Sequence, residues 1–287
     1  MSPSGPPNAS EKSTRPVGGL GDGGAGVVGP GEPPSPNPPT GHVLFSDAFG
    51  GPDGLITNED AYFDPGGGAP ASADWEMTSG SLFRRSGTGW TGVPDSCPGA
   101  SGPNATSSNC TDSDVFRLTT KKPIAGDARV ALALFNRTTF SGNCDGGDTC
   151  WHGVHVWVRY KTEQNLYYAS VNRADGDVVI KRKVPCGPDN GGTYIELTPE
   201  VHHAWSAGTW QRFAVSVRDN ADGSVRIELA NDLTGQVLVT GTDKGGTNPT
   251  SGCGGAAYAP ITGSGAIGVR GDFDEFQIDD VVVTALG

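Results

Sequence analysis

Residues 154–160, VHVWVRY, alternate apolar and polar side chains with a period of two, and this stretch decides the fold. Such alternation is typical of a β-strand with one buried face. The pattern returns in residues 166–172, LYYASVN, and again, after a turn at 174–176, in residues 178–183. Short connections predict three neighbouring antiparallel strands. Their predicted outward side chains are His155, Trp157, Arg159, Tyr168, Ser170, Asn172, Lys181 and Lys183.

Further strands are predicted beyond these three. Residues 213–217 and 225–229 alternate around an Asp222-Gly223 turn and predict a hairpin, and two more strands are predicted near 267–270 and 276–283. The 45 Gly and 22 Pro among 287 residues exclude long helical bundles. The sequence therefore predicts an all-β fold, an antiparallel β-sandwich or barrel.

The N-terminal region differs in composition from the rest of the chain. Residues 1–40 contain 10 Pro and 9 Gly and no aromatic side chain. Such a segment buries too little apolar surface to offset the entropy lost on ordering. We therefore predict a disordered tail or linker over residues 1–40 and a single domain over residues 41–287.

Charge and hydropathy exclude two classes of partner. The formal net charge of −12 argues against a general nucleic-acid-binding protein, which needs a surplus of Lys and Arg to neutralise phosphates. No apolar run approaches the length of about 18 residues that a transmembrane helix needs. Neither nucleic acid nor a membrane span is therefore predicted.

The six cysteines form an even set without the CxxC spacing of a zinc site, and disulfides explain them best. Disulfides predict an extracellular compartment, although the first 30 residues show no signal peptide. The alternative is six free thiols in a cytosolic protein. Several connectivities are possible, and the favoured pairs are Cys97–Cys110, Cys144–Cys150 and Cys186–Cys253.

Three segments resemble a known superfamily: LFSDAF at 44–49, the stretch from Asp74 to Leu82, and FQIDDV at 276–281. Over residues 43–285 the chain resembles the concanavalin A-like lectin/glucanase superfamily. The resemblance implies a jelly roll of two curved antiparallel sheets with the first and last strands adjacent. Function stays open, because the superfamily includes lectins, laminin-G-like modules, glycoside hydrolases and polysaccharide lyases.

The same resemblance implies a structural calcium ion where the first and last strands meet. The matching carboxylates are Asp47 and Asp279, and hard oxygen ligands suit Ca²⁺. The alternative is that these acids only end their strands. An acidic loop at residues 145–148 is a further candidate, better explained as a turn.

The predicted outward face carries aromatic rings and cations together. Indole and phenol rings offer flat surfaces to sugar rings, and Arg or Lys can bind a carboxylate. Residues 155–183 hold six Lys or Arg against three Asp or Glu, a local surplus of three positive charges. Tyr194 is predicted to extend the groove, with the Gly-rich loop 187–192 at its rim. The alternatives are a half-buried His155 and a solvated edge strand at 181–183.

A catalytic role for the same face is also possible. The segments around His155 and residues 166–172 are similar to motifs of alginate-lyase jelly rolls, although Gly153 replaces the Gln of that pattern and its Lys is missing. The resemblance implies a β-elimination on a uronic acid, with Arg159 or Asn172 neutralising the carboxylate, His155 as base and Tyr168 as acid. The E-x-D-x-x-E strand of retaining glucanases is not found.

We therefore predict a secreted jelly-roll domain that binds an acidic, uronate-type polysaccharide on its concave sheet, with Trp157, Ser170, Asn172, Lys181, Lys183 and Tyr194 contacting the ligand. The alternative is a β-eliminating polysaccharide lyase that uses the same groove. Adhesion to a protein or a different hydrolysis is a third possibility. Whether the protein is an enzyme stays open at this stage.

Overall fold

The computed structural model describes residues 31–37, 40–92, 115–138, 152–203, 205–206, 208–272 and 274–287. The predicted pairs Cys97–Cys110 and Cys144–Cys150, the loop 145–148 and most of the predicted tail lie outside the described residues. The third predicted pair is confirmed, because Cys186 and Cys253 form a disulfide with their Cα atoms 5.7 Å apart. Within the described ranges, no helix is long and apolar enough to cross a membrane.

The described residues form 19 β-strands and one short α-helix. In chain order these elements are β1 (Val43–Asp47), β2 (Gly54–Asn58), α1 (Glu59–Phe63), β3 (Trp75–Ser79), β4 (Ser81–Arg85), β5 (Thr88–Trp90), β6 (Val115–Thr120), β7 (Ala128–Thr138), β8 (Gly153–Thr162), β9 (Asn165–Arg173), β10 (Asp177–Asp189), β11 (Gly192–Glu196), β12 (Val201–His202), β13 (Trp210–Asp219), β14 (Val225–Asn231), β15 (Val237–Asp243), β16 (Gly246–Thr247), β17 (Ala257–Tyr258), β18 (Ala266–Asp272) and β19 (Glu275–Ala285).

Two large antiparallel sheets form a sandwich. Sheet A has the order β15-β14-β13-β7-β19-β5-β4-β2, with β1 also paired to β19. Sheet B has the order β11-β10-β9-β8-β18-β6-β3, with β12 also paired to β10. The first and last strands are therefore adjacent, with Asp47 opposite Val281. The predicted all-β antiparallel sandwich is confirmed.

The apolar faces of the two sheets meet in one core. Val154, Val156 and Val158 of β8, which the alternation predicts to point inward, are each at most 1% exposed. Each buried side chain of this kind stabilises the fold by roughly 1.5–3 kcal/mol. Large side chains from both sheets complete the core, among them Trp75, Phe116, Leu132, Phe213 and Phe276. Sheet B is therefore left with polar side chains on its outer face.

The predicted strands are present, and their turns have the expected geometry. Strands β8, β9 and β10 are neighbours in sheet B, and Gly176, with φ of 78°, lies in the β9–β10 turn. The predicted hairpin is β13–β14, with Gly223 in its turn at φ of 81°. These left-handed φ values favour glycine. Strand β18 lies next to β8, so its residues join the outer face of the predicted strands.

Two β-bulges between β8 and β9 change the face of individual side chains. One lies between Val154 and His155, and the other follows Val158 at Arg159, whose φ is 49°. A bulge adds a residue to one strand and reverses the alternation beyond it. The structure therefore corrects the predicted outward orientation of Arg159 and Asn172. It also places Tyr160 on the outer face, because its ring stacks on Trp157 at a centroid distance of 5.2 Å.

Candidate functional site

A cavity of about 410 Å³ lies on the outer face of sheet B, and we call it the front cavity. Strands β8, β9, β10, β11 and β18 supply its floor, and the β10–β11 turn supplies one wall. Its lining residues are His155, Trp157, Tyr168, Ser170, Arg173, Lys181, Pro188, Asp189, Asn190, Tyr194, Arg270 and Asp272. Six of the nine predicted catalytic and binding residues are among them.

The strand register explains why these side chains meet. His155 of β8 lies opposite Ser170 of β9 on one side and opposite Arg270 of β18 on the other. Directly opposed residues on one face of a sheet have side chains close enough to interact. The next row across the sheet consists of Trp157, Tyr168 and Lys181.

Aromatic rings make up much of the floor. The rings of His155 and Tyr168 have centroids 5.1 Å apart in an edge-on arrangement, and Tyr168 meets Tyr194 in the same way at 5.2 Å. Trp157 is only 3% exposed and stacks on Tyr160. Rings held in this way are rigid apolar surfaces with polar edges, which suits a sugar ring.

His155 is held between a hydroxyl and a carboxylate. Its Nδ1 lies 2.9 Å from Ser170 Oγ, and its Nε2 lies 3.3 Å from Asp272 Oδ2. Burial lowers the pKa of His155, against the opposing effect of Asp272. A neutral ring with its proton on Nε2, facing the carboxylate, accepts the Ser170 hydroxyl at Nδ1. Both ring nitrogens are therefore engaged inside the protein.

Asp272 also pairs with Arg270. Its Oδ1 accepts from Arg270 Nη2 at 2.7 Å and from Nε at 3.0 Å, while Arg270 Nη1 donates to Tyr194 Oη at 2.8 Å. Burial alone would raise the pKa of Asp272, but Arg270 and His155 outweigh it and lower this pKa to about 2. The carboxylate is therefore ionised and fixes the imidazole and the guanidinium together.

The hydroxyl of Tyr168 differs from these paired groups. Within the part of the chain that the structure describes, Tyr168 Oη has no hydrogen-bond partner, although the ring lines the front cavity. Burial raises the pKa of Tyr168 above its usual range, so the phenol keeps its proton. A protonated hydroxyl facing a cavity can donate to and accept from a ligand.

Three cations and two carboxylates line the front cavity. Arg173 pairs with Glu200 at 2.6 Å and also with Asp175, and Lys181 Nζ lies 3.2 Å from Glu196. These acids hold the cations at the cavity edge, where a ligand carboxylate can reach them. The lining thus holds one more cation than carboxylate, while Glu200, Asp175 and Glu196 lie beside its cations.

Three predicted site residues lie outside the lining. Arg159 binds Asp127 at 3.0 Å, the Ile261 carbonyl at 2.8 Å and Asp219, so it connects the ends of the two sheets. Asn172 accepts from Asn136 Nδ2 of sheet A at 3.0 Å.

Lys183 shares the outer face but is only 2% exposed. Its Nζ lies 5.0 Å from the centroid of the Tyr194 ring. Burial, followed by the charge of Arg270, lowers the pKa of Lys183 to about 8. Lys183 therefore lies beside the Tyr194 ring and does not line the front cavity.

Solved structures share this architecture at low sequence identity. The chain is similar to β-agarase B in complex with agaro-octaose, with a TM-score of 0.51 and 10% identity over 85% of this chain and 93% of that one. At this identity the likeness shows the fold alone, a two-sheet antiparallel sandwich of the kind that the concanavalin A-like resemblance implies. No family model and no curated protein matches the chain.

Two further solved structures are similar to the chain with lower scores. A carbohydrate-binding module, CBM66, from Bacillus subtilis is 10% identical over 74% of this chain and 95% of that one, with a TM-score of 0.42. A protein of unknown function with a galectin-like fold, also from Bacillus subtilis, is 11% identical over 85% of this chain and 96% of that one, with a TM-score of 0.47.

The carboxylates that the concanavalin A-like resemblance assigns to calcium already have protein partners. Asp47 accepts from the Trp75 indole and from the Phe49 amide, both at 2.7 Å, and Asp279 accepts from the Asp280 amide at 2.7 Å. Among the described residues, no group of three or more His, Cys, Asp or Glu side chains is placed to hold a metal ion. A calcium site needs six to eight oxygen ligands, and no function below depends on one. Calcium binding stays a prediction.

The sequence predictions did not include Arg270, Asp272 or Arg173. Arg270 and Asp272 are two positions apart in β18, so period-two alternation places them on one face. That signal was available, but it did not reveal that β18 pairs with β8. The Pro188–Asn190 wall belongs to the loop that was predicted to lie at the rim.

Titration of His155 tests this arrangement. We expect NMR to give a pKa below the usual 6.5, since burial disfavours the charged ring. The unfolded chain then binds more protons than the folded one, so His155 makes stability fall as pH decreases below about 6.5. Asp272→Asn removes the carboxylate that favours the charged ring, so the pKa of His155 should fall further in this variant. A pKa of 6.5 or above in the wild type would contradict burial as the dominant effect.

Proposed function

We propose that the front cavity binds a segment of an acidic, uronate-containing polysaccharide, and that the protein acts outside the cell. The observation that carries this proposal is the meeting of Trp157, Tyr168 and Tyr194 with Lys181 and Arg270 in one cavity. Aromatic surfaces fit the apolar faces of sugar rings, and cations fit their carboxylates. This is a binding function and needs no covalent step.

The fold and the disulfide support the proposal. β-Agarase B, which has the same fold, has been solved in complex with agaro-octaose, so this sandwich can hold a glycan. A volume of about 410 Å³ lies within the usual range for small-ligand sites, and so suits a few sugar rings of a longer chain. The Cys186–Cys253 disulfide fits an oxidising compartment outside the cell, where polysaccharides are met.

Affinity for polygalacturonate tests the binding function, with dextran as the neutral comparison. We expect calorimetry to show binding to polygalacturonate that weakens with salt, because charge attraction is screened. Lys181→Met should weaken it about three- to tenfold by removing a cation of the cavity edge. Tyr168→Phe should weaken it several-fold with little change in stability, since the hydroxyl has no partner among the described residues.

Lys244→Met is the matched control. Lys244 is exposed between β15 and β16 and does not line the cavity, so its loss changes the net charge equally. If Lys181→Met and Lys244→Met bind polygalacturonate alike, the front cavity is not the site. Equal binding of dextran and polygalacturonate would exclude an acidic ligand.

A β-eliminating lyase is the second candidate, favoured by the unpaired hydroxyl of Tyr168 beside His155 and Arg270. In this reaction a base removes the proton at C5, the electron pair forms the C4–C5 double bond, the C4–O bond breaks and an acid protonates the leaving oxygen. Neutral His155 fits the base and protonated Tyr168 the acid. In this reaction Arg270 or Arg173 neutralises the substrate carboxylate, which is the role that the sequence analysis assigns to Arg159 or Asn172. To act as the base, His155 Nδ1 must first give up its hydrogen bond with the Ser170 hydroxyl.

The calorimetric samples also separate the two functions. Elimination produces an unsaturated uronate that absorbs ultraviolet light, and this absorbance should rise with time only if the protein is a lyase. In that case His155→Ala and Tyr168→Phe should both abolish the rise. Binding without any rise in absorbance supports the binding module.

A further inference from the structure

A second cavity, of about 470 Å³, lies on the outer face of sheet A, on the side of the sandwich opposite the front cavity. We call it the back cavity. Phe276 and Ile278 of β19 point into the core, so Gln277 and Asp279 point outward to form its floor. Arg85, Thr88 and Trp210 come from neighbouring strands of the same sheet.

The N-terminal strap, which we define as residues 31–37, forms one wall of the back cavity. Trp210 Nε1 donates to the Gly31 carbonyl, and Arg212 Nη1 donates to the Pro34 carbonyl at 3.4 Å. Asn37 donates to the Leu233 carbonyl at 3.5 Å. The strap therefore satisfies polar groups of sheet A and turns a flat sheet face into an enclosed site.

The floor of the back cavity offers polar atoms that no described side chain binds. Gln277 is 2% exposed, and its Oε1 accepts from Thr88 Oγ1 at 3.3 Å. Among the described residues, the Gln277 amide nitrogen and Asp279 Oδ2 have no hydrogen-bond partner. Both atoms are therefore open to a hydrogen bond with a ligand in the cavity.

The charged groups of the back cavity also lack counter-ions in the described structure. The Arg85 guanidinium lies 3.8 Å from the centroid of the Trp90 ring and forms no ion pair with a described residue. Asp279 and the exposed Glu32 likewise form none there. Burial raises the pKa of Asp279 to about 6, so the carboxylate is ionised at neutral pH but poorly solvated. Such groups gain most from hydrogen bonds to a ligand.

We propose that the back cavity is a second carbohydrate site that takes a neutral sugar residue. Each sugar hydroxyl both donates and accepts, and the cavity offers donors in Arg85 and Gln277 and an acceptor in Asp279. The Trp210 indole supplies an aromatic surface. One cation against two carboxylates, Asp279 and Glu32, makes the cavity negative, which disfavours the acidic sugars proposed for the front cavity.

NMR of the full chain tests the proposal through the indole N–H of Trp210, assigned with Trp210→Phe. Cellobiose, maltose, lactose, sucrose and mannobiose are the probes, because they present gluco, galacto, manno and fructo units. We expect at least one of them to shift this signal in a saturable manner. Asp279→Asn should weaken that disaccharide about tenfold, the effect of losing a hydrogen bond to a charged group. Gln277→Ala should weaken it by a similar factor.

Matched controls separate this site from general effects and from the front cavity. Asp222→Asn changes an exposed Asp in the β13–β14 turn and should leave disaccharide binding unchanged. Lys181→Met should also leave it unchanged, whatever its effect on polygalacturonate. If Asp279→Asn does not fold, Gln277→Ala is the variant that tests the proposal. No saturable shift with any of the five disaccharides, equal binding by Asp279→Asn and Asp222→Asn, or a shift only with polygalacturonate would each overturn the proposal.

Discussion

Replacing Asp272 with Ala should lower the free energy of unfolding by about 3–5 kcal/mol, the usual cost of removing one partner from a buried ion pair. The Asp272 side chain is 1% exposed and accepts two hydrogen bonds from Arg270. Without it, Arg270 keeps only Tyr194 Oη as an acceptor among the described residues. The Arg270 side chain is only 12% exposed, so little solvent is available to take the place of the carboxylate, and the unpaired cation is costly. Denaturant unfolding followed by tryptophan fluorescence measures the loss.

Two variants separate charge from packing. Asp272→Asn keeps the volume and one acceptor, so it should lose less than Asp272→Ala. The double variant of Asp272→Ala with Arg270→Met removes the uncompensated cation and should recover part of the loss, because the cost comes from the unpaired charge. A loss below about 1 kcal/mol for Asp272→Ala would mean that water solvates Arg270, and the described network would not be buried in solution.

The alternation in β8, β9 and β10 was enough to predict these antiparallel strands and five of the twelve residues that line the front cavity. Val154 and Val156 point inward, while His155 and Trp157 point outward, as a period of two requires. This holds because each strand must bury one face against the other sheet. The rule uses only neighbouring positions in one strand, so one sequence was sufficient.

The rule fails where the backbone departs from a regular strand. Arg159 has a left-handed φ of 49°, although Arg has no preference for that region, so nothing in the local sequence announces the bulge. The position of the bulge depends on Gly265 of the neighbouring segment, where a Cβ atom would lie 2.4 Å from Arg159 Cα. The bulge is therefore a tertiary feature, invisible in the pattern of β8 alone.

The pairing of distant strands is the other part that the sequence did not reveal. β18 follows β8 by about a hundred residues, yet it places Arg270 opposite His155. The acids and bases of the front cavity are thus divided between strands that only the folded sandwich brings together. For the same reason, the carboxylate-binding role predicted for Arg159 passes to Arg270 or Arg173 in the proposed site.

Removing the Cys186–Cys253 disulfide should lower the free energy of unfolding by about 4 kcal/mol, the loop-entropy value for cysteines 67 positions apart. The measurement is denaturant unfolding of the double variant Cys186→Ala with Cys253→Ala, compared with the wild type without reductant. The other four cysteines are unchanged, so the difference reports this bond alone.

The same variant should also weaken ligand binding, because the disulfide anchors the end of β10 just before the cavity wall. The Cys186 carbonyl accepts from Asn248 Nδ2 at 2.8 Å and from Thr193 Oγ1 at 2.7 Å, and Pro188, Asp189 and Asn190 follow directly. Without the covalent bond, hydrogen bonds alone hold the wall, so more of its ordering is left to the ligand. We expect weaker polygalacturonate binding with an unchanged His155 titration, since His155 lies on β8 and not on the wall. Unchanged stability of the variant would mean that the hydrogen bonds alone fix the end of β10.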